Sequence, residues 1–198
     1  MKNALKILLS LLLIAVLAVP IMAQGEARWR KNMILIYVPD HEYEPMMTNA
    51  FKEWEGKLRQ KLQFYNYRAS KLTNQKDSQA IIDIDVKFGS ISGDEAKNGG
   101  FVSLQQAGSG AIRHAEITIV LKEDEKLLSD VEAKKKNDEE IKTIMLKQVG
   151  KAIGLGISQN PQSVMYDEIQ ENQVITPQDI ENVFVLYNWP YYRPLKSK

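Results

Sequence analysis

Residues 141–166 read IKTIMLKQVGKAIGLGISQNPQSVMY, and this stretch decides how the rest of the chain is understood. Ile141, Ile144, Met145, Val149, Ala152 and Ile153 recur at steps of three and four residues, which gathers them on one face of a helix. Gly154 and Gly156 end that helix, because glycine reaches a positive φ without a Cβ clash. The segment ISQNPQS then turns the chain and delivers Met165, which reads as a core side chain beneath the helix end.

The string KQVGKAIGLGIS, a short spacer and SVMY together resemble the zinc helix and Met-turn of a matrixin, a metzincin metallopeptidase whose signature is H-E-x-x-H-x-x-G-x-x-H. Laid over that signature, the first two histidines fall on Lys147 and Lys151, the third on Ile157, the catalytic glutamate on Gln148 and the glycine on Gly154. Gly150, Ala152, Leu155, Gly156, Ser158, Ser163, Met165 and Tyr166 are of the kind that matrixins carry at the corresponding places. The resemblance therefore implies the scaffold, with all three zinc-ligand positions and the general-base position replaced. It implies no zinc for this chain, and it leaves calcium undecided.

The chemistry of the replacements points the same way. Zinc takes lone pairs from imidazole, thiolate or carboxylate, whereas a lysine ammonium has three donors and no lone pair. Gln148 has an amide where proton transfer from a zinc-bound water needs a carboxylate. On a helical wheel Lys147 and Lys151 border the apolar arc, so they read as flank residues whose stems cover apolar surface while their heads reach water. A sharper reading keeps two like charges four residues apart because an anion sits in what would be the zinc cleft of a matrixin. The chain has only two histidines, His41 and His114, too few for a three-ligand site without recruited carboxylates.

The remaining composition narrows the class. A chain of 198 residues with a formal net charge of +1 fits one domain and offers no broad basic field for nucleic acid. Lys2 and Lys6 precede the apolar run 7–19, and Ala23 supplies a small residue before Gln24, a leader pattern over residues 1–23. The run is shorter than the roughly 20 apolar residues that span a bilayer, so no stable membrane anchor is expected after cleavage. Residues 24–198 are then one domain, secreted or periplasmic. With no cysteine anywhere, disulfides, thiolate metal sites and a lipidated cysteine are excluded.

Along the chain, residues 33–38 form a β-branched strand ending at Pro39-Asp40. Residues 46–62 carry Met47, Ala50, Phe51, Trp54 and Leu58 at helical steps, and AFxxW after a first strand again resembles matrixins. Residues 64–69 and 81–88 read as strands; in the second, Ile82, Ile84, Val86 and Phe88 alternate with Asp83, Asp85 and Lys87, which default to the wet face. A glycine-bearing loop spans 89–110, where the family places the edge strand above its substrate groove together with structural ions; Asp94, Glu95 and His114 are the candidate ligands here. Residues 115–121 form a further strand. The charged run 122–140 reads as a solvated loop or helix face with Asp138 as a helix N-cap. Thr176-Pro177-Gln178-Asp179 starts a closing helix, and residues 189–194, WPYYRP, cap the core.

The fold expected is α+β and zincin-like: a twisted mixed sheet of about five strands on two long helices, with a Met-turn and a C-terminal helix. Three functional classes stand: a non-catalytic module that binds an extended peptide or protein segment by backbone hydrogen bonds, a zinc endopeptidase with non-standard ligands, and a structural envelope protein without a ligand.

Overall fold

The computed structural model describes residues 27–67, 82–89, 99–121 and 131–190. The candidate ligands Asp94 and Glu95, the leader and the end of the aromatic tail lie outside the described residues. Six strands make one sheet: β1 (Arg28–Trp29), β2 (Met33–Tyr37), β3 (Gln63–Asn66), β4 (Ile84–Gly89), β5 (Gly100–Gln106) and β6 (Ala111–Val120). Three helices accompany them among the described residues: α1 (Glu44–Lys57), α2 (Val131–Ala152) and α3 (Pro177–Leu186). The order β3-β2-β4-β6 is parallel throughout, β1 pairs in parallel with the first residues of β6, and β5 adds to β6 antiparallel.

Alternation builds the buried face. Ile34 and Ile36 of β2, Ile84 and Val86 of β4, and Ala115, Ile117 and Ile119 of β6 are buried. Against them α1 sets Met47, Ala50, Phe51 and Trp54, and α2 sets Ile141, Ile144, Met145 and Val149. The Trp54 indole donates to the Leu146 carbonyl at 2.8 Å, so the two helices are tied by a polar bond inside their apolar contact. This satisfies the one polar atom that a buried tryptophan brings.

Several expectations are corrected. The first helix ends at Lys57 rather than Leu62, because Arg59 and Gln60 take left-handed backbone at φ 53° and 58° and fold Leu62 back onto the core. Its apolar periodicity thus outruns the helix. Asp138 is no N-cap: α2 already begins at Val131, since the Lys, Glu and Ala residues of the charged run are good helix formers. Asp138 instead accepts from the Tyr43 hydroxyl at 3.5 Å. The loop 89–110 contains β5, and β6 starts four residues earlier than the strand read at 115.

Asp83 is not on a wet face. It is buried, accepts from the Leu35 amide at 2.8 Å and pairs with Lys31 at 2.6 Å, which clamps β2 to the entry of β4. Asp85, half-buried, has its carboxyl held above the usual carboxylate range by burial, with Lys87 opposing the shift. The two aspartates therefore do separate jobs.

Candidate functional site

The last two turns of α2 and the segment after them form the site. Gly154, at φ 103°, lets its amide bond the Lys151 carbonyl at 2.9 Å while the Leu155 amide bonds the Gly150 carbonyl at 3.0 Å. This pair of bonds is a Schellman ending. A Cβ on Gly154 would stand 1.9 Å from the Ala27 carbonyl oxygen, so the position also needs glycine for the approach of the N-terminal strand. Two more carbonyls of the helix end are taken by side chains: Trp29 Nε1 donates to Ala152 at 3.0 Å and the Tyr187 hydroxyl to Ile153 at 2.9 Å. Burial raises the Tyr187 phenol well above the usual range, which keeps it a donor. The helix terminus is thus held rigidly by β1 and by the end of α3.

Past the glycines the chain returns beneath the helix. Met165 is enclosed, and its Sδ lies so close to Gly150 that a Cβ there would meet it at 2.3 Å. Ser163 fixes this turn by accepting from the Met165 amide at 2.9 Å and donating to the buried Asp179 carboxylate at 2.7 Å. Asp179 in turn accepts from the Thr176 amide and hydroxyl, each at 2.8 Å, completing the capping box of α3. The Ser158 amide closes the loop on the Met165 carbonyl at 2.8 Å.

Lys151 stands four residues from Lys147 and three from Gln148, so it neighbours both on α2, while Lys147 and Gln148 themselves point about 100° apart. Lys147 is fully buried rather than snorkelling to water, and its ammonium donates to the Asp167 carbonyl just beyond the turn. The flank reading fails for Lys147 because the segment after Met165 passes over it, a contact that no helical wheel contains. Its ammonium is pushed below the usual lysine range by burial and by the neighbouring Lys151, with Asp167 partly offsetting both. Lys151 is half-buried and likewise lowered by burial.

Gln148 faces the opposite wall. It is fully buried, and its Nε2 donates to the Gly100 carbonyl of β5 at 3.1 Å, while its Oε1 has no partner among the described residues. The amide orientation is fixed by chemistry, since a carbonyl oxygen can only accept and the nitrogen must face it. The close seating of α2 on β5 depends on Gly99, at φ 65°, where a Cβ would stand 2.2 Å from Ile144 Cδ1. The Gly99-Gly100 doublet is the sequence signal for this contact. Ile157, just past the helix end, is exposed.

The structure thus sets Lys147, Gln148 and Lys151 on the last turns of α2, above the turn that carries Met165, and leaves Ile157 exposed after the helix end. The histidines lie elsewhere: His41 stacks on Phe88 at 4.4 Å, and His114 Nδ1 is 3.2 Å from the Ile82 carbonyl, at the opposite end of β4. Among the described residues no group of three or more histidines or carboxylates is placed to hold a metal. Zinc asks for lone pairs from imidazole, thiolate or carboxylate. An ammonium donating to a carbonyl, a second ammonium, and an isoleucine do not fit that ion.

No curated protein matches this sequence significantly. The family model for the matrixins does, over residues 29–188, from the first strand to just past α3. The sheet apart from Arg28, the glycine-terminated helix, the turn that carries Met165 and the closing helix fall inside that span, and the chain belongs to the matrixin family.

Proposed function

We propose that this matrixin domain lacks peptidase chemistry and binds an extended peptide or protein segment along the open edge of β5. In this reading Lys147, Lys151 and Ile157 stand at the zinc-ligand positions and Gln148 at that of the general base. The observation that carries it is how two of these side chains are used. Lys147 and Gln148 are buried and donate to the Asp167 and Gly100 carbonyls, so both act as structural donors where the chemistry would need acceptors. The binding half rests on β5, which among the described residues pairs with β6 alone and so leaves one row of backbone groups open.

Export belongs to the same proposal, supported by the leader pattern of residues 1–23; N-terminal sequencing of the exported protein should begin at Gln24. The deciding experiment measures zinc content and hydrolysis together on the protein purified without chelator. Zinc far below one ion per chain and no cleavage of a quenched-fluorescence peptide library are expected. One tightly held ion per chain with cleavage of the library overturns the reading.

A further inference from the structure

The open edge of β5 has a direction, and one of its ends is chemically unlike the rest. The Val120 amide donates to the Gly99 carbonyl at 2.9 Å, so odd-numbered residues of β5 turn their backbone groups toward β6. Alternation then directs those of Gly100, Val102 and Leu104 to the open side. Gly100, the first of these, already has its carbonyl taken by Gln148. A strand added to β5 can therefore pair along Val102 and Leu104 but meets Gln148 at the Gly100 end.

On the stretch of α2 that meets that end, two polar groups lack direct partners among the described residues. Gln148 Oε1 is buried without a hydrogen bond, and an unmade bond on a buried acceptor is costly, which marks it as waiting for a donor. Lys151, three residues further along the same helix face, is half-buried, and among the described residues no hydrogen bond or ion pair engages its ammonium. Asp167 attracts it only through space. Three residues apart, Gln148 and Lys151 are neighbours on α2, and the buried ammonium of Lys147 stands one turn before Lys151.

On this basis, and resting on the peptide-binding reading above, we infer that the site captures the free C-terminus of an extended chain. The segment runs antiparallel to β5, its terminal carboxylate pairs with Lys151, and the amide N–H of its last residue donates to Gln148 Oε1. Direction follows from charge. An antiparallel strand finishes at Gly100, where β5 begins, and brings a carboxylate to the lysines; a parallel strand would bring a terminal ammonium, which Lys147 and Lys151 repel. Blockage by Gln148 selects a chain end over a chain that passes through.

The test uses the whole mature protein and an N-terminally labelled mixture of random octapeptides, made once with free C-termini and once as C-terminal amides. The free acids should bind roughly tenfold tighter or better, as one charge-assisted hydrogen bond in a half-buried site provides. Lys151→Met should remove that difference, and Lys151→Arg should keep most of it. Equal binding of acids and amides by the parent protein overturns the terminus inference while leaving the groove reading intact. Binding of neither form defeats both. A third arm, amidated peptides ending in glutamate, separates the sources of the carboxylate: if they match the free acids, a side-chain carboxylate suffices and the assignment to a chain terminus is wrong. Because the acid-to-amide comparison is made on the parent protein, it holds even where a Lys151 variant fails to fold.

Discussion

Met165 and Gly150 offer the most direct measurement of how the site's floor is built. Truncating Met165 to alanine removes Cγ, Sδ and Cε from an enclosed position, worth about 2.4 kcal/mol of transfer free energy at roughly 0.8 kcal/mol per group. With the cavity that remains, Met165→Ala should cost about 2–5 kcal/mol. Gly150→Ala in the parent places a Cβ 2.3 Å from Met165 Sδ and 3.0 Å from Trp54 Cζ2. Overpacking of that kind costs about 1–3 kcal/mol, offset by about 1 kcal/mol of helix propensity gained on replacing glycine. In the Met165→Ala background the nearer contact no longer exists, and the propensity gain should show. The double mutant should then be more stable than additivity allows by about 1–3 kcal/mol. Urea unfolding followed by tryptophan fluorescence reads all four corners of the cycle. An unchanged midpoint for Met165→Ala, or strict additivity in the double mutant, would refute the packing of this turn beneath α2.

Three further outcomes are expected. Lys147→Met should stabilise the protein most at neutral pH and progressively less as pH rises. The folded-state pKa of Lys147 is lowered, so the parent's penalty for burying the charge is complete below that value and fades as pH approaches the ordinary lysine value of about 10.4; a pH-independent difference between parent and variant excludes this cause. Asp179→Ala should lower stability by about 2–4 kcal/mol in thermal unfolding, because it leaves the buried Ser163 hydroxyl and Thr176 amide unpaired and removes the α3 cap. The triple variant Lys147→His, Lys151→His, Ile157→His should take up zinc in equilibrium dialysis, with hydrolysis appearing only when Gln148→Glu is added; a folded triple variant with no more zinc than the parent would show that these are not the ligand positions.

Much of this arrangement was legible in the sequence, and what was not has identifiable causes. The α2 face, its glycine ending and the Thr176 cap could be read because each depends on residues within one or two turns of each other, whereas the core role of Met165 follows from the resemblance of SVMY to the matrixin turn. The alternation of β4 could be read as well. The length of α1 could not, because Leu58 and Leu62 stay buried after the helix has ended and continue its period by a different geometry. β1 is two residues long, too short for any period to register, and is defined only by its partner β6. Asp83 looked solvent-facing since its spacing matches that of Asp85 and Lys87, but the Leu35 amide that buries it is 48 residues away. Lys147 is the same case: the Asp167 carbonyl that takes its ammonium lies across the turn, and no local pattern announces it.

Two buried tethers engage the side chains of Lys147 and Gln148, and on the proposed reading they compete with acid–base chemistry at those positions. Gln148 joins α2 to the edge strand and Lys147 joins it to the segment after Met165, in both cases by an N–H donating to a backbone carbonyl. A carboxylate at position 148 would set an oxygen against the Gly100 carbonyl, two acceptors face to face, and the strand would have to move away to relieve it. An imidazole at position 147 is shorter than lysine and must give up the reach to Asp167 if its lone pair is to point into the cleft. On the proposed alignment, each substitution toward metal chemistry therefore loosens one of the two contacts that fix α2 against its neighbours. Tethering and catalysis are, on that alignment, competing uses of the same positions, and the glycines at 99 and 150, which let the start of β5 and Met165 approach the helix so closely, support either use equally.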